Sequence, residues 1–361
     1  MKMDMGVLRR WAARNESFIN RWMRRAVSLP FIFILWILVT GTLPLLLAVT
    51  VPTDLAGRQR RLMPLSRCML FFLLYLNAEV LCLFCGFLIW LFSGDCIGIN
   101  PGIFYNWNAT LQRWYSRWLY LGACRIFSFS FKIEGSECTR PGPIVLLVRH
   151  ASSADTPMSQ IFVANPNRMM LRWVMKKELL WDPVIDIGAN RLPNVFVDRK
   201  PKDRQAELKA IRGLATGMGP NDGVVIYPEG TRFSLKKLEL ARDRLHASGK
   251  QILYEKSLRM RWVLPPRPSG VLEIMTAAPE ADAVFCAHTG FEGAVNFRQY
   301  LRGALVGAEI KVKYWRIRAS EIPSEVEAKL EWLYDQWLEC DRWIDENIPV
   351  RCRSPKGAQT R

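Results

Sequence analysis

The sequence predicts an α/β protein in which a mixed sheet is flanked by helices and preceded by an N-terminal hydrophobic membrane hairpin. Two observations lead to this prediction. Two almost uncharged stretches, 26–52 and 68–94, stand near the N-terminus, and short β-branched runs alternate with amphipathic stretches from about residue 131 onward. The first pattern is typical of membrane helices and the second of layered α/β domains.

Each uncharged stretch is long enough to cross a hydrocarbon core about 30 Å thick. A signal peptide would be shorter and would end in a small-residue cleavage site. We therefore expect a two-helix membrane hairpin over 26–94, between a basic arm at 1–25 and an interfacial amphipathic linker at 95–130. The positive-inside rule places the basic arm in the cytoplasm. The hairpin then returns the rest of the chain to the cytoplasmic side.

Three residues, Pro30, Gly41 and Pro44, could instead break the first segment and make the hairpin re-entrant. Both versions predict an integral membrane protein whose remaining domain faces the cytoplasm. A charged Glu79 in the second segment is costly in lipid. We interpret Glu79 as a carboxylate paired with an arginine or placed in a wet groove.

The charge balance predicts an anionic partner. The chain has 50 Lys and Arg residues against 33 Asp and Glu, a net charge of +17. Such a chain attracts nucleic acid, an anionic membrane surface or phosphorylated molecules. Because no nucleic-acid recognition motif is present and the aromatic residues cluster near the apolar segments, we expect membrane lipids and no nucleic acid. The lone pair Cys82 and Cys85 is interpreted as packing, so no metal site is predicted.

The catalytic part is expected at 131–320, followed by an amphipathic helix and tail at 321–361. One helix should carry Leu208, Ile211, Ala215 and Met218 on one face. A capping box of Ser324 and Glu327 predicts the start of the last helix. The predicted strands are 143–148, 194–197, 223–227, 261–264, 283–287 and 309–315.

Four polar clusters begin where four of these strands end. They start at Arg149-His150, Asp198-Arg199, Pro228-Glu229 and Pro265-Pro266. Ligands of α/β folds bind outside the carboxyl ends of strands. The four clusters are therefore expected to line one pocket, although more than a hundred residues of sequence separate the first from the last.

The first cluster has the residue types of a general base. An imidazole works best as a base when a carboxylate fixes its tautomer. His150 and Asp155 can meet if His150 lies in the turn after the strand and Asp155 caps the next helix, with Thr156 and Pro157 in its first turn. No serine or cysteine is clearly a nucleophile, although Ser152 and Ser153 are open to test. A base without a protein nucleophile predicts a substrate hydroxyl as the attacking group.

The next clusters have the residue types of a phosphate site. Arg199 and Arg232, with backbone N–H groups around Gly230, would supply a phosphate-binding wall. A base, a phosphate site and a membrane anchor together predict transfer of a group onto a hydroxyl of a phospholipid-like acceptor.

At these residues the chain resembles the membrane-bound glycerolipid and lysophospholipid acyltransferases, the PlsC-like family. The resemblance covers about 140–320 and lies in the His-x4-Asp block at 150–155, the arginine block at 195–199, Glu-Gly-Thr-Arg at 229–232 and the proline block at 263–267. Within the family it is nearest to the lysophosphatidate and lysocardiolipin acyltransferases. The sequence departs from many relatives at Arg149, where they have Asn.

The resemblance implies a glycerol-3-phosphate acyltransferase-like fold and transfer of a fatty acyl group from a thioester to a lysophospholipid hydroxyl. The acceptor expected is 1-acylglycerol-3-phosphate and the product phosphatidate. The donor, acyl-CoA or acyl carrier protein, is a co-substrate, and no cofactor is expected. His150 would be the base and Asp155 its orienting partner, and Pro265 would shape the substrate site. The residues that would bind the glycerol phosphate are Arg199, Glu229, Gly230, Thr231 and Arg232.

Three alternatives remain at the level of sequence. The chain could remodel another lysolipid, such as lysocardiolipin or lysophosphatidylinositol. It could also transfer acyl groups between lipids without CoA, or act as a membrane scaffold without catalysis.

Overall fold

The computed structural model describes residues 16–57, 62–93, 101–198, 203–294 and 297–349. The chain divides into two compact units. The helical unit comprises the residues up to Ser128 together with Arg172–Glu207 and Tyr300–Val306. The α/β unit comprises Phe129–Leu171, Leu208–Gln299 and the residues from Gly307 onward.

Helices and strands are numbered in chain order. The helices are α1 (Phe18–Gly41), α2 (Leu43–Ala56), α3 (Pro64–Phe92), α4 (Pro101–Phe127), α5 (Pro183–Gly188), α6 (Arg204–Ala215), α7 (Leu235–Ala247), α8 (Gln251–Leu258), α9 (Pro268–Ala277), α10 (Phe297–Leu301) and α11 (Val326–Asn347). The strands are β1 (Ser130–Glu134), β2 (Ile144–Val148), β3 (Met170–Lys176), β4 (Val195–Val197), β5 (Asp222–Ile226), β6 (Asp282–Thr289) and β7 (Glu309–Ile317).

The first apolar segment folds as two helices rather than one. α1 ends at Gly41 and α2 begins at Leu43, with Pro44 in its first turn. The break that the sequence left open as an alternative is present at Gly41 and Pro44, whereas Pro30 lies inside α1 without ending it. α1 also begins at Phe18, within the stretch expected to be a basic arm.

Helices α1 and α3 are long and apolar enough to cross a membrane, as judged by length and composition. Buried side chains of both helices, among them Ile32, Val39 and Leu76, form an apolar cluster. Many of their other large apolar side chains are exposed, such as Phe31 at 62%. A surface of this kind suits contact with lipid rather than with water.

Polar contacts fix the helices of this unit to the segment 172–207. The Arg24 and Arg25 guanidiniums of α1 both donate to the fully buried Asp186 carboxylate of α5, at 2.9 and 3.0 Å. Glu79 is fully buried and not in a wet groove, and the Tyr115 hydroxyl, not an arginine, donates to its Oε1 at 2.5 Å. In the same unit β3 pairs in parallel with β4, Val174 opposite Val195.

The α/β unit is built on a mixed sheet with the strand order β1-β7-β6-β2-β5. Only β6 and β7 run antiparallel, and the other neighbouring pairs are parallel. All five residues of β2 are buried, as expected for a central strand covered on both faces. The carboxyl end of β2 carries Arg149 and His150 into the site.

Several predicted elements are confirmed, and two predictions, a capping box and a strand, are wrong. Strands β2, β4, β5, β6 and β7 lie where the sequence placed them, and helix α6 is present but ends at Ala215, before the predicted Met218. Strands β1 and β3 were not predicted. The predicted capping box is absent, since the N-cap of α11 is Glu325 and no side chain caps the helix. Residues 261–264 do not form a strand.

The segment 261–264 is not a strand because side chains take its backbone hydrogen bonds. The Asp341 carboxylate of α11 accepts from the N–H groups of Arg261, Trp262 and Val263, at distances from 2.6 to 3.0 Å. The indole of Trp337, also on α11, donates to the carbonyl of Leu264 at 3.1 Å. Helix α11 therefore holds the proline loop, which we define as 261–267.

Replacing Asp341 by asparagine should lower the free energy of unfolding by roughly 1–3 kcal/mol, because an amide nitrogen then faces backbone donors in a buried site. Asp335→Asn is the matched control on the same helix. Its carboxylate is 56% exposed and contacts Lys256, and exposed ion pairs contribute roughly 0–1 kcal/mol. Thermal unfolding of both variants measures the difference. Equal unfolding midpoints would show that Asp341 does not hold the loop.

Candidate active site

The predicted His–Asp pair is formed. His150 Nδ1 lies 3.0 Å from Asp155 Oδ1. The Asp155 side chain is fully buried, while that of His150 is 15% exposed. Because the carboxylate accepts from Nδ1–H, the lone pair of the imidazole remains on Nε2. This is the tautomer that a general base needs, and the ring keeps a small exposed fraction.

The local fold fixes Asp155 differently from the prediction. Ser152 begins a short 3-10 turn over Ser153–Asp155, so Asp155 is the third residue of that turn and does not cap a following helix. Its Oδ2 accepts from the N–H groups of Ala151 and Ser152, at 2.7 and 2.8 Å. One carboxylate oxygen is therefore held by backbone while the other faces His150.

Glu229 connects two segments of the site through its carboxyl group. Its Oε1 accepts from the N–H of His150 and its Oε2 from the N–H of Leu264, each at 2.9 Å. Burial raises the pKa of Glu229 to about 8, against the opposing effects of these N–H groups and the Arg149 guanidinium. Glu229 is 1% exposed. In this structure the carboxyl group of Glu229 forms hydrogen bonds with backbone N–H groups. Its direct contact with a substrate headgroup stays a prediction.

The residues after Glu229 form a tight turn at the end of β5. Gly230 has a φ of +65°, and its N–H donates to the carbonyl of Tyr227 at 2.9 Å. A Cβ at Gly230 would lie 3.0 Å from Arg267 Cδ. Glycine therefore suits this position both for its backbone angle and for the closeness of the proline loop.

Cationic groups gather at the partly exposed Thr231 and Arg232. The Lys237 ammonium donates to Thr231 Oγ1 at 3.0 Å and to the carbonyl of Arg232 at 2.8 Å. The sequence did not single out Lys237, although it lies six residues from Thr231, on the first turns of α7. Together these groups give the end of β5 the positive charge expected of a phosphate site.

Two further predicted site residues, Pro265 and Arg199, are not tested as substrate contacts. Pro265 follows Leu264 in the proline loop and is buried, so its expected contact with substrate stays a prediction. Arg199 lies outside the described residues. The structure thus brings together His150, Asp155, Glu229, Gly230, Thr231 and Arg232 in the α/β unit.

The family model described as Acyltransferase matches residues 130–255. This range contains the His150–Asp155 pair and the turn at Glu229–Arg232. Residues 130–255 therefore match an acyltransferase domain.

Similar proteins bear the same family name. An uncharacterized acyltransferase of Schizosaccharomyces pombe is 26% identical over 186 residues, which are 48% of this chain and 50% of that protein. The 1-acyl-sn-glycerol-3-phosphate acyltransferase epsilon of Mus musculus is 22% identical over 215 residues, 56% of this chain and 57% of that protein. The chain therefore spans about half the length of the curated relatives it matches.

Among solved structures, the chain is similar to the 1-acyl-sn-glycerophosphate (LPA) acyltransferase PlsC of Thermotoga maritima. The TM-score is 0.41 and the identity 16%, over 74% of this chain and 98% of that one.

The α/β unit contains a buried ion pair that the sequence did not predict. The fully buried Arg149 guanidinium donates to Glu292 Oε1 at 2.5 Å, to the carbonyl of His288 at 2.6 Å and to that of Trp262 at 3.0 Å. Burial alone would raise the pKa of Glu292, but Arg149 holds it below its ordinary value. An arginine directly after a wholly apolar strand was the available signal, although nothing in the sequence pointed to its partner.

Replacing Glu229 by glutamine should destabilise the acyltransferase domain by roughly 1–3 kcal/mol, since the amide nitrogen would face an N–H donor. The effect should depend on pH. Because the folded pKa of about 8 exceeds the model-peptide value of 4.5, protonation of Glu229 stabilises the fold at low pH, and this stabilisation is lost as the pH rises through 8. The deficit of the variant relative to the wild type should therefore shrink between pH 5 and pH 9.

Thermal unfolding across that pH range measures the deficit. The control is Glu239→Gln, at an exposed position of α7, where the change should stay within about 0.5 kcal/mol. A Glu229→Gln deficit that is constant with pH would contradict the raised pKa.

Proposed function

We propose that the chain transfers a fatty acyl group from a thioester to the free hydroxyl of a lysophospholipid, in a general-base mechanism through His150 and Asp155. The observation that carries this proposal is the His150–Asp155 contact of 3.0 Å within a domain of the acyltransferase family. His150 is accessible and Asp155 is buried, the arrangement that a positioned base requires.

The reaction follows from the free Nε2 of His150. This nitrogen accepts the proton of the acceptor hydroxyl as the oxygen attacks the thioester carbonyl carbon. The tetrahedral intermediate then collapses with cleavage of the C–S bond, and the thiol leaves with a proton returned by the imidazolium. Asp155 stabilises that imidazolium through Oδ1.

Direct transfer to the substrate is supported by the position of Ser152. Its buried hydroxyl donates to the carbonyl of Ala294 and accepts from the N–H of Ala154. A serine engaged in this way is poorly placed to act as a nucleophile. The substrate hydroxyl is then the attacking group, as the sequence predicted.

The acceptor we propose is 1-acylglycerol-3-phosphate, which would yield phosphatidate. The cationic residues Arg232 and Lys237 suit a phosphate headgroup, and their segment lies near the base because Phe233 N–H donates to the carbonyl of His150 at 2.9 Å. The raised pKa of Glu229 is compatible with an anionic substrate, because a neutral carboxyl does not repel phosphate. The name of the mouse relative supports the same acceptor. Arg199, in the block that resembles the family's arginine motif, is proposed as a second phosphate contact.

The apolar surface of α1–α3 would hold the helical unit in the bilayer, with the catalytic domain on the cytoplasmic side. A site anchored in this way would receive its lipid acceptor from the membrane. The donor would come from the aqueous side as acyl-CoA or acyl carrier protein.

Replacing His150 by alanine should lower acyl transfer by about 10²–10⁴-fold, the usual contribution of a general base. The assay uses the purified full chain with labelled acyl-CoA and a panel of lysophosphatidate, lysocardiolipin and lysophosphatidylinositol, with acyl carrier protein as a second donor. The control is His246→Ala, at an exposed position of α7. A His150→Ala variant with more than a tenth of the wild-type turnover would rule out His150 as the base.

Replacing Arg232 by alanine should raise the acceptor KM roughly 10–100-fold and change kcat less, since a hydrogen bond from a charged group contributes about 1.5–3 kcal/mol to binding. Arg244→Ala on the exposed face of α7 removes the same charge away from the turn. If both variants raise KM equally, the effect belongs to net charge, and Arg232 has no specific contact with the acceptor.

A further inference from the structure

A second histidine of the α/β unit lies against the carboxylate that orients His150. His288 is near the end of β6, directly after the apolar run 283–287, and is fully buried. Its Nε2 lies 3.0 Å from the carbonyl oxygen of Arg149 and 3.5 Å from Asp155 Oδ2. The imidazole edge thus faces both the residue before His150 and the partner of His150.

The contacts of His288 determine where its proton lies. A carbonyl oxygen can only accept, so Nε2 carries the hydrogen. Nδ1 is buried and has no hydrogen-bond partner among the described residues. Protonation of Nδ1 would bury an unsatisfied donor, which costs about 1–3 kcal/mol. Burial also lowers the pKa of His288, although Asp155 opposes this effect. The ring is therefore neutral and in the Nε2–H form.

The backbone around His288 is held in place by the Arg149–Glu292 ion pair. Arg149 donates to the carbonyl of His288, and Glu292 Oε2 accepts from the N–H of Gly290 at 2.7 Å. The imidazole is thus fixed between β2 and β6, which pair in parallel. A side chain held at both its backbone and its ring edge has little freedom to move away from Asp155.

We propose that His288 is a positioning residue for the His150–Asp155 pair: its neutral Nε2–H donates to the carbonyl of Arg149, the residue before His150, and its ring edge lies 3.5 Å from Asp155 Oδ2, so that Oδ1 stays aligned with His150. This inference rests on the proposed function only in naming His150 as the base. A neutral donor suits the role because an imidazolium would compete with His150 for the charge of Asp155. The neutral ring instead holds the backbone before His150 and leaves the charge of Asp155 to His150.

The test observes the hydrogen bond between His150 Nδ1 and Asp155 by NMR and does not require turnover. The chain has three histidines, so ¹⁵N-labelled histidine gives three ring systems in the detergent-solubilised full chain, and single variants assign them. The readouts are the tautomer of His150 and the downfield proton on its Nδ1. Asp155→Asn is the positive control for loss of that signal, and His246→Gln is the matched histidine control.

His288→Phe keeps a ring of similar size but removes the donor, and we expect it to lose the His150 Nδ1 proton signal and to mix the tautomers of His150. His288→Gln places an amide N–H near the position of Nε2 and should preserve both. His288→Asn is the second test variant if the phenylalanine variant does not fold, because its shorter amide cannot reach the Arg149 carbonyl that Nε2–H contacts. Folding of each variant is checked by circular dichroism and thermal unfolding.

In the acyl-transfer assay, kcat should fall by up to about 100-fold in His288→Phe with little change in acceptor KM, as expected for a misaligned base. His288→Gln should keep most of the wild-type kcat. A folded His288→Phe or His288→Asn variant with the wild-type His150 signals would overturn the proposal. Absence of acyl transfer by the wild type would refute the proposed function instead, and the spectra would still decide the role of His288.

Discussion

The site depends on the buried Glu229 carboxyl, because it joins segments that are distant in sequence. One oxygen holds the N–H of His150 after β2 and the other holds the N–H of Leu264 in the proline loop. Neighbouring backbone contacts reinforce this link: Phe233 N–H donates to the carbonyl of His150, and Arg267 N–H to that of Pro228. The position of the base is thus set by a group more than seventy residues away.

The same principle recurs wherever the α/β unit lacks a strand ladder. Asp341 accepts three backbone N–H groups of the proline loop, and Arg149 donates to the carbonyls of His288 and Trp262. Buried backbone groups need partners, and an ionised side chain with several hydrogen bonds supplies them in irregular segments. A buried arginine is tolerated here because Glu292 and two carbonyls compensate its charge.

Local patterns explain which parts could be predicted from sequence. Apolar runs placed β2, β5, β6 and β7, and the spacing of His150 and Asp155 indicated their contact. The partners of Arg149 and Glu229 depend on long-range packing, so no local pattern reveals them. The segment 261–264 was predicted to be a strand because its composition is typical of one. It is not a strand, since Asp341 and Trp337 form hydrogen bonds with its backbone. His288 had one signal, a histidine within an apolar run, and Arg199 lies outside the described residues.

The distribution of buried charges makes the surface more basic than the composition alone implies. Among the described residues seven acidic side chains are buried, and only three basic ones. The acidic ones are Asp54, Glu79, Asp155, Asp186, Glu229, Glu292 and Asp341, and the basic ones are Arg24, Arg149 and Arg172. Because carboxylates accept backbone N–H groups, the fold uses them inside, and most lysines and arginines stay in contact with solvent. The net charge of +17 therefore understates the positive charge at the surface of the described residues, which would attract anionic headgroups.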